Sequence, residues 1–247
     1  LLPEECLQHA EAVVVGEAED VWAQVLEDAE RRRLEGIYRA EKPVDMATVP
    51  FPKRELLNES PWFACIQATR GCPNKCKYCY LPCVPWGTFR TRPLEKVLEE
   101  IRGIPQRILF VVDDNLFADR EYALALFNEL KAMKKTWSVQ MPTNVAKDDE
   151  MLDAMAASGC FNAQVGFQTV NPASLDWADV RQNKIGKYAD VIDRLHKRDI
   201  LVGGFFIFGF DHDDERIFPE TVRIVKEIDL DDAHLYILTP YPGTPMY

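Results

Sequence analysis

Three cysteines within one short stretch are the residues of this sequence best suited to chemistry. Cys72, Cys76 and Cys79 are spaced C-x3-C-x2-C, directly after a run of strand-forming residues at 63–66. Thiolates are soft ligands, and cysteines this close together on a loop can bind one metal centre. Three thiolate ligands on a cluster of four irons would leave one iron open to a small molecule. The spacing therefore predicts a metal cluster with one position for a ligand from outside the protein.

A fourth cysteine leaves two alternatives open. Cys83 extends the pattern to C-x3-C-x2-C-x3-C, and four thiolates would complete a structural zinc site or a fully ligated ferredoxin-type cluster. In the ferredoxin-like run the proline follows the last cysteine, whereas here Pro73 follows the first. A small electron carrier also has no need of the strands and helices that follow. A disulfide is disfavoured, because cysteines at this density without a secretory signal indicate a reducing compartment.

The cysteine spacing, with an aromatic residue just before the last cysteine, resembles the radical S-adenosylmethionine (radical SAM) superfamily. The resemblance extends over roughly residues 48–247. It implies that Cys72, Cys76 and Cys79 hold a [4Fe-4S] cluster and that SAM chelates the fourth iron through its amino and carboxylate groups. An electron from the cluster then cleaves SAM to a 5′-deoxyadenosyl radical. The resemblance also implies that Tyr78 lies near the adenine and that an external donor such as flavodoxin or ferredoxin supplies electrons.

Alternating strands and helices must position this loop. Apolar residues at helical spacing, such as Leu94, Val97, Leu98 and Ile101, lie between apolar runs that are typical of buried strands. This alternation predicts an α/β fold with a parallel sheet wrapped by helices. The six units resemble the partial (βα)6 TIM-like barrel of radical SAM enzymes, and an open doubly wound sheet is the alternative from the pattern alone. Strands are predicted near 63–69, 107–113, 136–141, 161–168, 200–208 and 232–239.

The residues after the second predicted strand are candidates for binding SAM, because reactive groups of an α/β barrel gather at the carboxyl ends of its strands. Asp113, Asp114 and Asn115 occupy this place. Buried carboxylates need a cation or hydrogen-bond donors, and the resemblance implies that at least one of the three residues contacts the SAM amino group. Capping of the next helix is the structural alternative, although Asp119 is better placed for that role.

Two further polar residues follow later strands. Gln168 ends the fourth predicted strand, and the resemblance places it near the SAM ribose, to which an amide can both donate and accept hydrogen bonds. A buried glutamine bonded to neighbouring backbone is the alternative. Lys184 resembles a basic position that pairs with the SAM carboxylate, and a solvated lysine is the alternative. The acidic segment 211–215 is predicted to be a solvated, helix-capping loop rather than a metal site.

The chain is predicted to contain two units joined by a linker. Residues 1–40 are predicted to be the C-terminal remnant of a separate α/β domain, residues 41–62 a proline-rich linker, and residues 63–247 the barrel, truncated at its C-terminus. The order of a strand at 12–15, a Gly16-Glu17 turn, a helix and a segment at 36–38 resembles the end of the cobalamin-binding domain found in one radical SAM branch. It implies cobalamin in the full-length protein, and a methyltransferase or a cyclase. The cobalt-ligating Asp-x-His-x-x-Gly motif is absent, so no cobalamin ligand is predicted.

Composition and charge exclude some kinds of function. The 247 residues carry a formal net charge of −11, and an acidic protein repels phosphate backbones, which disfavours sequence-independent nucleic-acid binding. No apolar run approaches the ~20 residues that span a bilayer, and nothing resembles a signal peptide. We therefore expect a cytoplasmic enzyme with a small-molecule substrate.

Overall fold

In the computed structural model, which describes residues 2–57 and 61–247, six parallel strands form one sheet. The strands of the described residues are β1 (Ala12–Val15), β2 (Gly36–Arg39), β3 (Phe63–Ile66), β4 (Thr69–Arg70), β5 (Arg90–Thr91), β6 (Ile108–Val111), β7 (Thr136–Met141), β8 (Cys160–Gln168), β9 (Leu201–Phe208) and β10 (Asp232–Ile237). The α-helices are α1 (Pro3–Cys6), α2 (Trp22–Glu30), α3 (Leu94–Gly103), α4 (Arg120–Met133), α5 (Asp149–Ala157), α6 (Pro172–Trp177), α7 (Tyr188–His196) and α8 (Ile217–Glu227).

The order of the strands in the large sheet identifies its architecture. The order is β10-β9-β8-β7-β6-β3, so each strand after β3 pairs in parallel with the strand of this sheet that precedes it in the chain. A doubly wound sheet reverses its strand order at a switch point, and this sheet has no reversal. The predicted partial (βα)6 barrel is therefore confirmed, and the doubly wound alternative is wrong.

The core lies between the sheet and the helices. Along β8, side chains alternate between a fully buried set that includes Val165 and Phe167 and a half-buried set that includes Gln164. Phe167 packs on Tyr188 of α7 at 4.6 Å between ring centroids, which identifies the buried set as the side that faces the helices. Fully burying an apolar side chain such as Val or Phe stabilises the fold by about 1.5–3 kcal/mol. The half-buried set faces the inside of the open barrel.

The first strand of the barrel is shorter than predicted. β3 ends at Ile66, and Thr69–Arg70 form a separate strand, β4, that pairs antiparallel with β5. This pair makes a hairpin whose loop, residues 71–89, carries the cysteines. Asp119 caps α4, as predicted, by accepting a hydrogen bond from the backbone N–H of Tyr122 at 3.0 Å.

The N-terminal residues form a unit with its own small sheet. β1 and β2 pair in parallel, with α2 between them in the chain. The described part of the predicted linker contains one short 3₁₀ turn, Arg54–Leu56, and buries Val44 and Met46. Residue 1 of the predicted N-terminal unit and residues 58–60 of the predicted linker lie outside the described residues. Within the described residues, no helix is long and apolar enough to cross a membrane.

Candidate metal centre

The three cysteines lie on the loop that joins β4 to β5. At the base of this loop the backbone N–H of Cys72 donates to the carbonyl oxygen of Gly87 at 3.3 Å. Gly71 has a φ of +85°, and a Cβ at this position would lie 2.3 Å from the carbonyl oxygen of Thr88. Glycine is therefore required here, because it tolerates positive φ and lets the two ends of the loop approach closely.

The thiols of the loop are crowded enough to change each other's acidity. Burial raises the pKa of Cys76 to about 11, and the charges of Cys79 and Cys72 contribute in the same direction. Burial also raises the pKa of Cys79, with further contributions from Cys72, Asp114 and Cys83. Neighbouring negative charge disfavours the thiolate, whereas a bound cation favours it. This part of the loop is therefore suited to a cationic metal centre.

Cys83 lies beside the same site. Cys76, Cys79 and Cys83 border a cavity of about 270 Å³, together with Trp177 and Met246. Within residues 2–57 and 61–247, no group of three or more His, Cys, Asp or Glu side chains is arranged to hold a single metal ion.

Tyr78 belongs to an aromatic wall beside the cysteines. Its ring packs edge-on against Phe210 at 6.3 Å, and Phe210 packs edge-on against Trp177 at 5.9 Å. Burial and the neighbouring thiols raise the pKa of Tyr78 far above its ordinary value, so the phenol keeps its proton. Such a wall can pack against a flat ring.

The segment after β9 fixes Phe210 within this wall. Asp213 Oδ2 accepts hydrogen bonds from the backbone N–H groups of Gly209 and Phe210, both at 3.1 Å, and Asp213 Oδ1 accepts one from Ser174 Oγ at 2.8 Å. The helix α8 begins at Ile217 without a side-chain cap. Residues 211–215 are largely exposed, as predicted, and Asp214 Oδ1 accepts from the backbone N–H of Arg216 at 2.9 Å just before α8. Asp213 instead connects α6 to the end of β9.

The two carboxylates after β6 hold the start of the cysteine loop. Asp113, only 1% exposed, accepts hydrogen bonds from the N–H of Ala68 at 3.1 Å, from Thr69 Oγ1 at 2.6 Å and from the N–H of Thr69. Burial raises the pKa of Asp113 to about 6 in spite of these hydrogen bonds. Asp114 Oδ2 accepts from the N–H of Gly71 at 2.8 Å. Backbone N–H groups and the Thr69 hydroxyl thus satisfy the buried carboxylate of Asp113, whereas the carboxylate of Asp114 is exposed and contacts the loop through a single N–H group.

Asn115 is the member of this group that reaches a cysteine. Its Nδ2 donates to Cys72 Sγ at 3.5 Å, and the residue is 7% exposed. Its Oδ1 atom is buried without a hydrogen-bond partner. A buried amide oxygen without a partner is costly, so Asn115 offers an acceptor to a ligand that lies beside Cys72.

The structure places the other two candidates on separate elements. Gln168 ends β8 with a φ of +71°, at a shift in the pairing with β9. Its amide lies over Gly166, where a Cβ would be 2.3 Å from Gln168 Nε2. Lys184 is exposed and borders a cavity of about 510 Å³ with Leu175 and Val180, whereas Cys76 and Cys79 border a different cavity. The roles of Gln168 and Lys184 stay predictions.

Sequence reasoning missed a group of charged residues at the base of the loop. Glu17, from the N-terminal unit, forms ion pairs with Arg70 at 2.9 Å and with Arg90 at 2.6 Å. These partners are separated by 53 and 73 positions, so no local spacing could have indicated them.

Comparison with known proteins identifies the family. The family model described as the radical SAM superfamily matches residues 66–225, which is more than half of the chain. A bacteriochlorophyllide d C-12(1)-methyltransferase of Chlorobaculum tepidum is 30% identical over 100% of this chain and 57% of its own length. A bacteriochlorophyllide d C-8(2)-methyltransferase of the same organism is 27% identical over 99% of this chain and 59% of its own length. The chain thus spans less than two thirds of these curated relatives.

Solved structures share the fold. The radical SAM methyltransferase TsrM from Kitasatospora setae, with cobalamin and a [4Fe-4S] cluster bound, matches with a TM-score of 0.66 at 20% identity, over 74% of this chain and 38% of that chain. The cobalamin-dependent SAM radical enzyme OxsB, with aqua-cobalamin bound, matches with a TM-score of 0.63 at 11% identity, over 90% of this chain and 45% of that chain. With the cysteine loop on a partial barrel and the match of the family model, the chain belongs to the radical SAM superfamily.

Proposed function

We propose that this chain is the catalytic part of a cobalamin-dependent radical SAM methyltransferase that modifies a small-molecule substrate. The observation that carries the proposal is the crowding of Cys72, Cys76 and Cys79 on one loop, beside the buried amide of Asn115. The relatives that match nearly the whole chain are methyltransferases by name, which supports methyl transfer as the reaction. Ring formation is the related outcome, because a magnesium-protoporphyrin monomethyl ester cyclase is 25% identical over 72% of the chain.

The residues present fit a [4Fe-4S] cluster and SAM. Cys72 and Cys79 lie close enough to Cys76 for their charges to raise its pKa, and thiolates are the ligands of such clusters. The unpartnered Oδ1 of Asn115 is a suitable acceptor for the amino group of SAM. When bound, a cluster with one open iron supplies the electron that cleaves SAM.

The task of the protein is to hold and orient these groups. Cys72, Cys76 and Cys79 bind the irons, and Asn115 donates to the sulfur of Cys72. Tyr78, backed by Phe210, presents an apolar wall to the adenine and excludes water from it.

The residues around these ligands complete the proposed SAM site. Asp113 and Asp114 hold the loop in place through its backbone N–H groups. Gln168 is assigned to the SAM ribose and Lys184 to the SAM carboxylate, as the family resemblance implies.

The proposal includes partners beyond the chain. An external donor such as flavodoxin or ferredoxin supplies the electron, and the protein works in the cytoplasm. Residues 1–40 are the end of a cobalamin-binding domain, residues 41–62 are its linker to the barrel, and residues 63–247 are the barrel. The order of strand, helix and strand in β1, α2 and β2 supports this division.

A SAM titration tests the proposal. The chain is reconstituted with iron and sulfide without oxygen and reduced with dithionite, and EPR spectra are recorded with and without SAM. We expect SAM to change the spectrum and 5′-deoxyadenosine to form. An unchanged spectrum together with no 5′-deoxyadenosine would contradict the proposal.

The position of Cys83 favours a second candidate function. Cys83 borders the same cavity as Cys76 and Cys79, so a fourth thiolate could close the cluster and make the chain an electron-transfer module. A closed cluster has no open iron, and its EPR spectrum would not respond to SAM. The same titration therefore separates the two functions.

A further inference from the structure

One carboxylate of the N-terminal unit contacts both arms of the hairpin that carries the cysteines. Glu17 Oε1 accepts hydrogen bonds from Arg70 Nη1 at 2.9 Å and from Arg90 Nη2 at 2.6 Å, and Glu17 Oε2 accepts one from Arg90 Nη1 at 2.9 Å. Glu19 adds a contact with Arg70 Nη2 at 2.8 Å. We call these four residues the Glu17 cluster.

The two arginines lie at the base of the cysteine loop. Arg70 of β4 and Arg90 of β5 are paired opposite each other in the antiparallel register, and Arg70 stands two positions before Cys72. Like charges directly opposite each other in a strand pair are destabilising. Glu17 therefore neutralises a repulsion at the point where the loop closes.

The Glu17 cluster is shielded from water. The side chains of Glu17, Arg90 and Arg70 are 10%, 18% and 22% exposed, so salt screens their attraction less than that of a surface pair. Glu17 Oε2 also accepts from the backbone N–H of Val44 at 2.6 Å. Four N–H donors thus surround one carboxylate.

The charge of Glu17 is secured by these contacts. Burial alone would raise its pKa, but hydrogen bonds from Arg90, Val44 and Arg70 outweigh burial and lower the pKa to about 2. The carboxylate is therefore ionised throughout the range in which enzymes work.

We propose that Glu17 is a positioning residue for the metal centre, which it controls through Arg70 and Arg90. Its carboxylate holds β4 and β5 together, so the loop between them presents its thiols at a fixed spacing. The N-terminal unit is thereby part of the cluster site although it supplies no ligand. The inference rests on the proposed function, because it requires a cluster at Cys72, Cys76 and Cys79.

The test compares Glu17→Gln with Glu11→Gln in the reconstituted chain. Both changes replace a carboxylate by an amide in the N-terminal unit, but Glu11 is exposed. Cluster loss to an iron chelator is followed by visible absorbance, and the EPR response to SAM is recorded for the cluster that remains. We expect E17Q to lose its cluster about tenfold faster than E11Q and wild type, since hydrogen bonds to a charged group are lost at the loop base.

A second substitution separates positioning from general destabilisation. In E17Q Arg90 loses its carboxylate partner, and Glu19, which contacts only Arg70, is the acidic residue of the cluster that remains beside the two facing arginines. Adding Arg90→Gln removes the repulsion and should slow cluster loss relative to E17Q alone. A residue that merely supported the fold would give the opposite result, because the second change would add to the damage. Cluster loss in E17Q at the wild-type rate, or faster loss in the double variant, would overturn the inference.

The outcomes also distinguish this inference from the proposed function. If wild type assembles no cluster that responds to SAM, the proposed function fails. If wild type does so and E17Q matches it, only the role of Glu17 fails. Should E17Q not fold, Glu19→Gln removes only the outer contact of Arg70 and should speed cluster loss about twofold. The wild-type rate in E19Q would then count against the inference.

Discussion

Crowding sets the cysteines of the loop apart from the other thiols of the chain. Cys160 is buried alone in the core, and its pKa is raised by burial, whereas the pKa of Cys76 is also raised by two neighbouring thiols. Cys6 and Cys65 are exposed. A mutual effect of several thiols indicates a shared ligand more strongly than burial does, since a buried cysteine often behaves as a small apolar residue.

Serine substitutions should distinguish the cysteines that bind the cluster from those that do not. We expect Cys76→Ser to abolish the cluster, because hydroxyl oxygen is a harder and poorer ligand for iron–sulfur clusters than thiolate. Cys83→Ser should retain the cluster, and Cys65→Ser is the exposed control. Iron content and visible absorbance after anaerobic reconstitution measure the result. Loss of iron from C83S as complete as that from C76S would favour the four-cysteine site.

Asn115 should tune the reduction potential of the cluster. Its N–H group donates to Cys72 Sγ, and such a bond stabilises the more negative, reduced state. Asn115→Leu should therefore shift the midpoint potential to more negative values, by up to about 40 mV for a bond worth about 1 kcal/mol. An EPR-monitored redox titration measures the shift. Asn128→Leu, on the exposed side of α4, is the matched control, and equal potentials in both variants would contradict the prediction.

At the scale of elements, the β4–β5 hairpin determines how the site is built. Tyr122 Oη of α4 lies 2.8 Å from the carbonyl oxygen of Arg92 and 3.3 Å from that of Ala68, so one hydroxyl contacts both ends of the hairpin. Asp113 and Asp114 hold the first end from β6. Two short strands thus stay paired because neighbouring elements hold them.

Gly71 should tolerate no side chain. A Cβ there would lie 2.3 Å from the carbonyl oxygen of Thr88, and the φ of +85° is unfavourable for other residues. We expect Gly71→Ala to destabilise the fold by about 1–3 kcal/mol and to weaken cluster binding. Gly103→Ala is the control, because nothing lies within 4 Å of its added Cβ. Chemical denaturation measures the loss of stability, and iron content measures cluster binding. Equal stability and iron content in G71A and G103A would show that the base of the loop has room for a side chain.

The sequence predicted the strands well where the strands are long and buried. The bounds predicted for β7 match Thr136–Met141, and those of β8 and β9 differ by one residue at one end. β4 and β5 were missed, because two-residue strands leave no periodic pattern. β3 was predicted too long, because only Gln67 and Ala68 separate it from β4 and no glycine or proline marks its end.

At the scale of the whole molecule, a charge contact joins the N-terminal unit to the barrel. The ionised form of Glu17 makes this contact, because hydrogen bonds from Arg90, Val44 and Arg70 lower the pKa of Glu17 from its ordinary value of 4.5 to about 2. A depressed carboxyl pKa adds stability above the unfolded-state value, and this stability is lost as the pH falls towards the folded-state value. The junction should therefore weaken between about pH 4.5 and pH 2.

Unfolding experiments at several pH values check this expectation. The free energy of unfolding of wild type should exceed that of E17Q by a constant amount from about pH 5 to pH 8, because Glu17 is ionised throughout this range. The difference should shrink as the pH falls from about 4.5 to 2. A difference that is independent of pH down to 2 would mean that Glu17 acts through its shape rather than its charge.

The residues of the candidate metal centre could be proposed from the sequence only in part. The cysteines follow a local spacing, so the sequence alone indicated them and, through the strand ends, Asp113, Asp114 and Asn115. The Glu17 cluster depends on contacts between residues 53 and 73 positions apart, and the partner of each charge is decided by the fold. Likewise, the sequence did not indicate that Asp113 accepts hydrogen bonds from the backbone N–H groups of Ala68 and Thr69.

The anchors of the cysteine loop have a consequence for how the protein acquires iron. The loop is held without any contact to a thiol. Its contacts come from Glu17, from Asp113, from Tyr122 and from the hydrogen bond that the Lys77 N–H donates to the Ala178 carbonyl oxygen. In zinc fingers, by contrast, the metal provides the free energy of folding. We therefore expect most of the conformational entropy of the loop to be lost when the chain folds, before metal binds. Removing the metal with a chelator and restoring it should therefore leave the fold unchanged. Circular dichroism spectra of the metal-free and reconstituted protein should superimpose through repeated cycles.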